Sequence, residues 1–181
     1  MSIETVRAAI VEMIDAEIPA LKTCEAHPGR FDLAEIKRVA AKAPAVFVAA
    51  LATGQQELNG GDVQAPVSFA AFIVTKDQPQ KTRDSLVLDI VNALLVLTDS
   101  NDWDSTDVVE DPINIRSQNL YSASIDKNGV AMWAITWQQK IKLGSATDVA
   151  ALDDFLRASG TAENADGDTL IETAVTLEAA Q

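Results

Sequence analysis

The sequence predicts an α+β domain: a largely antiparallel mixed sheet of four to five strands, helices packed on one face, and an acidic C-terminal extension. Three observations predict it. The stretch Ile113–Leu143 holds an arm in which Ala131, Trp133, Ile135, Trp137 and Ile141 alternate with Met132, Thr136, Gln138, Lys140 and Lys142, the period of a strand with one buried face. Two runs, Pro44–Leu51 and Val67–Thr75, are apolar at successive positions, as strands covered on both faces are. Two segments, Ile3–Ile18 and Thr82–Leu97, carry apolar residues at helical spacing.

At 181 residues the chain is one domain with room for a small appendage. Hydrophobic content of 48% is enough for a real core. The longest apolar run, Ala43–Ala52, is about half of a membrane span. Met1 leads into an acid-bearing amphipathic helix rather than a basic, then apolar, leader, so no secretory signal is expected. One cysteine, Cys24, allows no internal disulfide and suits a reducing compartment. A net charge of −13 argues against wrapping nucleic acid by phosphate neutralisation.

In chain order, Ser2 caps a helix whose stripe is Ile3, Val6, Ile10, Met13, Ile14 and Ile18, ending near Pro19. Lys22–Arg30 reads as a loop with a Pro28-Gly29 turn. Asp32 and Glu35 have the spacing of a capping box for a short helix to Lys42, basic through Lys37, Arg38 and Lys42. Pro44 then opens an interior strand. Thr53–Ala65, with Gly54, Gly60 and Gly61, reads as a hairpin loop before Val67–Thr75. Thr82 caps the next helix, whose inner face is Leu86, Val87, Ile90, Leu94 and Leu97. Asp99–Asp111 is an acidic connection with an edge strand near Val108. Ile113–Leu143 reads as one long hairpin. A three-residue bulged loop, Lys127–Gly129, pairs Ile125 with Ala131, Ala123 with Trp133 and Tyr121 with Ile135, and so joins the apolar faces. After Gly144 the composition shifts: from Ser145 on there are eight acids and one arginine. Asp148–Ala158 reads as a helix, Ser159–Asp168 as a loop and Thr169–Leu177 as a strand, so the boundaries are 1–144 for the domain and 145–181 for an extension or arm.

No catalytic, cofactor or metal site is expected. Cys24 and His27 lie three apart, but the only cysteine and the only histidine leave no further soft ligands for an ion. A calcium loop counted from Asp99 puts Glu110 at the twelfth position, yet Trp103 takes a ligand position and Asp104 stands where the turn needs glycine. His27 in a Pro-Gly turn is a poor partner for a nucleophile.

The order of elements resembles the tail-terminator, or tail-completion, proteins of Mu-like contractile-tailed phages and prophages. The likeness covers roughly Met1–Leu143. It is carried by the N-terminal helix, by "KRVAAKAPAVFVAALATG" running from a helix through Ala-Pro into a strand, by "SFAAFIVTKD", by the helix "TRDSLVLDIVNALLVLTD" and by "LYSASIDKNGVAMWAITWQQKI". The resemblance implies a structural protein, not an enzyme, that closes into a ring, a hexamer in the family, on the end of a tail tube. There it stops tube growth and forms the surface that joins the head. The implied partners are further copies of the chain, the tail tube protein and head–tail connector proteins, with DNA passing an acidic lumen without capture. The implied setting is the bacterial cytoplasm during assembly and then the virion tail, with no membrane. Candidate contacts are Val108 at the sheet edge, Asp126, Lys127 and Asn128 at the hairpin tip, and Phe155, Leu156, Leu170 and Val175 in the tail. The alternative is a non-catalytic α+β module that binds a small molecule or peptide on a concave sheet face with Trp133 and Trp137.

Overall fold

A computed structural model describes residues 3–31, 33–120, 123–145, 157–163 and 169–176. The chain divides into two compact units, Met1–Ala146 and Thr147–Gln181.

In the first unit, α1 (Ile3–Glu17) precedes β1 (Thr23–Ala26), α2 (Leu33–Lys42), β2 (Ala45–Thr53), β3 (Glu57–Asn59), β4 (Asp62–Lys76), α3 (Arg83–Thr98), β5 (Ile113–Asn119), α4 (Ala123–Lys127) and β6 (Val130–Ser145). The six strands form one mixed sheet in the order β1-β2-β4-β6-β5, with β3 pairing β4 off that path. Only β1–β2 is parallel; every other pair is antiparallel. The second unit holds β7 (Arg157–Glu163) and β8 (Thr169–Thr176), an antiparallel pair.

β4 is the centre of the sheet. It is hydrogen-bonded to β2 along one edge and to the whole length of β6 along the other. Its residues go alternately into two cores. Val67, Phe69, Ala71 and Ile73 lie with α1 (Val6, Ile10, Ile14) and α3 (Leu86, Val87, Ile90, Leu94). Ala70, Phe72 and Val74 lie with α2 (Ile36, Val39, Ala40) and with Ile125 of α4. The α+β mixed sheet is therefore as expected, but it has six strands, and its helices cover both faces rather than one. The reason is visible in the strands. β2 and β4 are apolar at successive positions, so each face needs a cover, and α2 supplies the second one.

Four local expectations are corrected. Lys22–Arg30 is not all loop, because Thr23–Ala26 forms β1 against β2, Thr23 opposite Ala45 and Ala26 opposite Val48. The Thr53–Ala65 loop contains β3 and a tight turn at Gly60 and Gly61, both left-handed, so β4 begins at Asp62 rather than Val67. The Ile113–Leu143 hairpin is interrupted by α4. Asn119 pairs Trp133 and Ser117 pairs Ile135, in place of Ala123 with Trp133, Tyr121 with Ile135 and Ile125 with Ala131. The odd-with-odd parity survives; the first arm is displaced by four residues because Ile125 is buried in the second core. Gly129 is left-handed (φ 66°) as expected, but it closes α4 rather than a bulged hairpin loop. In β6 both faces count: Met132 and Ala134 are buried, as are Ile135 and Trp137 on the other face.

In the tail, Ser159–Glu163 belongs to β7 rather than to a loop, and Arg157–Ala158 is strand rather than helix. The rest of that expected helix lies outside the described residues. The expected strand at Thr169 is β8.

Phe69 is fully buried and stacks on Trp137 at 5.8 Å between centroids. Phe69→Ala is expected to cost about 3–5 kcal/mol in urea unfolding. Leu58→Ala, at a position 67% exposed, should stay within about 0.5 kcal/mol.

Candidate assembly surfaces

The polar residues that composition singles out first are structural. His27 is 2% exposed. Its Nδ1 accepts the backbone N–H of Gly29 at 2.9 Å, so the ring proton sits on Nε2, which donates to Glu35 Oε1 at 2.6 Å. The ring stacks on Phe31 at 4.4 Å and meets the edge of Phe47. The residue ties the segment after β1 to α2. Arg38 grips both oxygens of Glu35 and reaches Glu25 at 3.1 Å, while Lys42 donates to Glu25 at 2.6 Å. The Arg38 guanidinium, followed by His27, holds the Glu35 carboxyl down to about 2. Burial opposes ionisation of Glu25, but bonds from Lys42 and Arg38 outweigh it and keep its carboxyl below the usual range.

Cys24 and His27 face opposite sides of the sheet. Cys24 packs against the α1 core, while His27 lies on the Phe47 side, so they cannot share an ion. Burial, then the charges of Asp15 and Glu25, push the Cys24 thiol up to about 12. Among the described residues no group of three or more His, Cys, Asp or Glu is placed to hold a metal ion, and no helix is long and apolar enough to cross a membrane.

The acidic connection between α3 and β5 is pinned by its tryptophan. Trp103 is 1% exposed, and its indole N–H donates to Gln139 Oε1 at 2.7 Å. Gln139, itself buried, returns its amide to the carbonyls of Asn101 and Glu110. Asn101 accepts the Trp103 backbone N–H at 2.6 Å and donates to Leu97 O. This arrangement leaves Glu12 and Glu17 of α1 facing Asn101 and Asp104 across an open groove of about 540 Å³, floored by Met13, Leu97 and Trp103.

Within the first unit the predicted contact residues fall into two separate groups. Val108 is half-buried and bridges Ile141, and main-chain bonds Val109–Lys140 and Lys142–Asp107 continue the sheet edge beyond β5. Asp126, Lys127 and Asn128 sit in or just after α4, not at a hairpin tip, and Asp126 is ion-paired with Arg83 at the start of α3. Ile141 and Val130 are eleven positions apart on β6, so these two groups are separated by about 35 Å along the strand. Leu170 and Val175 lie in β8, Val175 opposite Ala158. Phe155 and Leu156 lie outside the described residues. Of the two tryptophans placed on a concave face, Trp137 is instead 2% exposed, beneath the α1/α3 layer beside Phe69 and Trp103.

Other exposed apolar positions stand out. Leu58 on β3 and Ile113 at the start of β5 are 67% and 54% exposed. Ile113 and Pro66 line a cleft of about 290 Å³, with Glu57, Glu110 and Lys140 at its polar side. Lys140 is ion-paired with both glutamates. Leu88 and Val96 lie on the outer face of α3. Finally, α2 and α4 cover only half of their sheet face. Ala70, Phe72, Met132 and Ala134 are buried, but the same face continues as half-buried Pro66, Ser68, Thr136 and Gln138. No protein-family model matches the chain, and no curated protein matches it.

Two measurements follow from these groups. The Cys24 thiolate is suppressed about a thousandfold relative to an ordinary thiol with a value of 9.0. Disulfide-reagent labelling near pH 8 should therefore be slower by about that factor in the folded protein and reach the ordinary rate in denaturant. The Glu35 carboxyl is lowered in the folded state, so its contribution to stability is present above about pH 4.5 and is lost as pH falls toward 2. The gap in urea midpoint between wild type and Glu35→Gln should be full near neutral pH and close through that window.

Proposed function

We propose that the chain is a virion structural protein that assembles as a ring on the end of a phage or prophage tail tube, stops tube polymerisation and forms the head-joining surface. The observation that carries this reading is the uneven cover of the sheet. β4 and β6, of 15 and 16 residues, run past the end of the α2/α4 layer. They carry with them the β3 hairpin, the β5 edge and the exposed Leu58 and Ile113. A sheet face closed by helices at one end and only half-covered at the other is suited to docking on something larger than a small ligand. The order of elements supports it too: an N-terminal helix, a helix leading through Ala43-Pro44 into β2, then β4, α3, the acidic connection and β6, as in tail terminators. A terminator needs one face that fits the tube and another that does not repeat it, since a contact between unlike patches grows until rotation closes it.

Electron microscopy of tube protein polymerising with and without the purified chain tests the proposal. Tubes capped at a length that shortens as the chain is added are expected. An unchanged length distribution, with the chain monomeric at every concentration, overturns it. Deleting residues 147–181 removes none of the described residues of either core. Cooperative unfolding of the truncated chain, with loss of ring closure, is expected if the tail is an intersubunit arm; intact rings would rule that role out.

A further inference from the structure

Resting on the ring reading, the geometry points to the groove between α1 and the 101–104 segment as the seat for helix α2 of the neighbouring copy, with Lys37 entering its acidic rim.

Charge is the first argument. Glu12 and Glu17 of α1 and Asp104 of the connection line the groove, and none of the three takes part in an ion pair among the described residues. Asp15 lies on the same exposed end of the helix. The last turn of α1 carries no base, and Glu17 closes the helix at the negative end of its dipole, where a cation rather than a carboxylate is favoured. The groove therefore has an electrostatic deficit that its own subunit leaves uncorrected, above a floor of Met13, Leu97 and Trp103.

The chain also carries a matching surface. On α2, Ala34, Lys37, Arg38 and Ala41 are exposed and share one face. Arg38 is committed to Glu35 and Glu25. Lys37 has no ion pair among the described residues, and the alanines a turn to either side leave it the longest side chain on its line. A helix face on which Lys37 projects between two alanines, beside the already paired Arg38, fits an open groove rimmed by carboxylates, as an acidic face would not.

The third argument is placement. α1 and its groove belong to the layer on one face of the sheet, and α2 to the layer on the other. A contact between them joins unlike surfaces of successive copies, the head-to-tail geometry from which rings are made. A stable contact buries about 800 Å² per partner, so the groove orients the interface and does not constitute all of it.

Charge reversal in the full-length chain tests this, with assembly followed by sedimentation velocity and native mass spectrometry at fixed ionic strength. Lys37→Glu, and separately Glu12→Lys with Glu17→Lys, should each raise the concentration needed for assembly by at least about tenfold, because each sets like charges face to face. The chain carrying all three changes should assemble within about threefold of wild type, since the attraction is restored with its sign inverted. All sites are exposed, and circular dichroism checks that each variant folds. The α1 variant supplies a second reading: bases at the helix C-terminus should raise its monomer Tm while assembly is lost, which separates a contact defect from a folding defect. Rings that ignore every reversal overturn the groove-to-α2 pairing and leave the stopper reading standing, as does loss in the single reversals without recovery in the combination. A wild-type chain that neither assembles nor caps tubes removes both.

Discussion

β4 is the constraint on which the rest of this structure depends. It is hydrogen-bonded along both edges, to β2 and β3 on one side and to β6 on the other, and its residues from Phe69 to Val74 alternate between the two helical cores. A fully paired strand of this kind leaves little choice of register, because a one-residue slip would exchange the residues of the α1/α3 core with those of the α2/α4 core. Phe69 would be set against α2 and Phe72 against α3. Those side chains fit their own layers, Phe69 with Trp137 and Phe72 with Phe31.

Around that strand, two polar clamps hold the segments that hydrophobic burial alone would leave loose. One is His27, which fixes the turn after β1 through the Gly29 N–H and fixes α2 through Glu35. The other is Gln139, which projects from β6 into the α1/α3 layer and bonds the Trp103 indole and two carbonyls of the acidic connection. Each replaces water at buried polar groups that would otherwise be costly to enclose. Trp103, anchored by the second clamp, lies in the floor of the groove beside α1 and has a left-handed backbone conformation (φ 58°).

Legibility in the sequence followed the strength of the local pattern. α1, α3, β2 and β4 were readable because their apolar residues recur over many positions with one period. β1 was not: Thr23-Cys24-Glu25-Ala26 has no distinctive alternation, and it is a strand because β2 offers it a parallel edge. α4 was hidden by Asp126-Lys127-Asn128-Gly129, whose turn chemistry is real but ends a helix instead of folding a hairpin. The misread turn set Asp126, Lys127 and Asn128 at a hairpin tip, whereas they sit in or just after α4, with Asp126 against Arg83 of α3. The edge strand expected near Val108 is reduced to an isolated bridge to Ile141, because only Val109 and Asp107 beside it bond the main chain of β6. The groove was illegible for another reason. Glu12 and Glu17 read as the solvated side of an amphipathic helix, and only tertiary structure brings Asp104 opposite them.

The indoles of Trp103 and Trp137 lie 5.7 Å apart at 36° between ring planes, one from a loop and one from the sheet. At that spacing their electronic transitions couple, so near-ultraviolet dichroism of the pair reports directly on how the acidic connection is seated on β6. The molecule thus carries an internal optical gauge at the wall of the groove, readable without any added label.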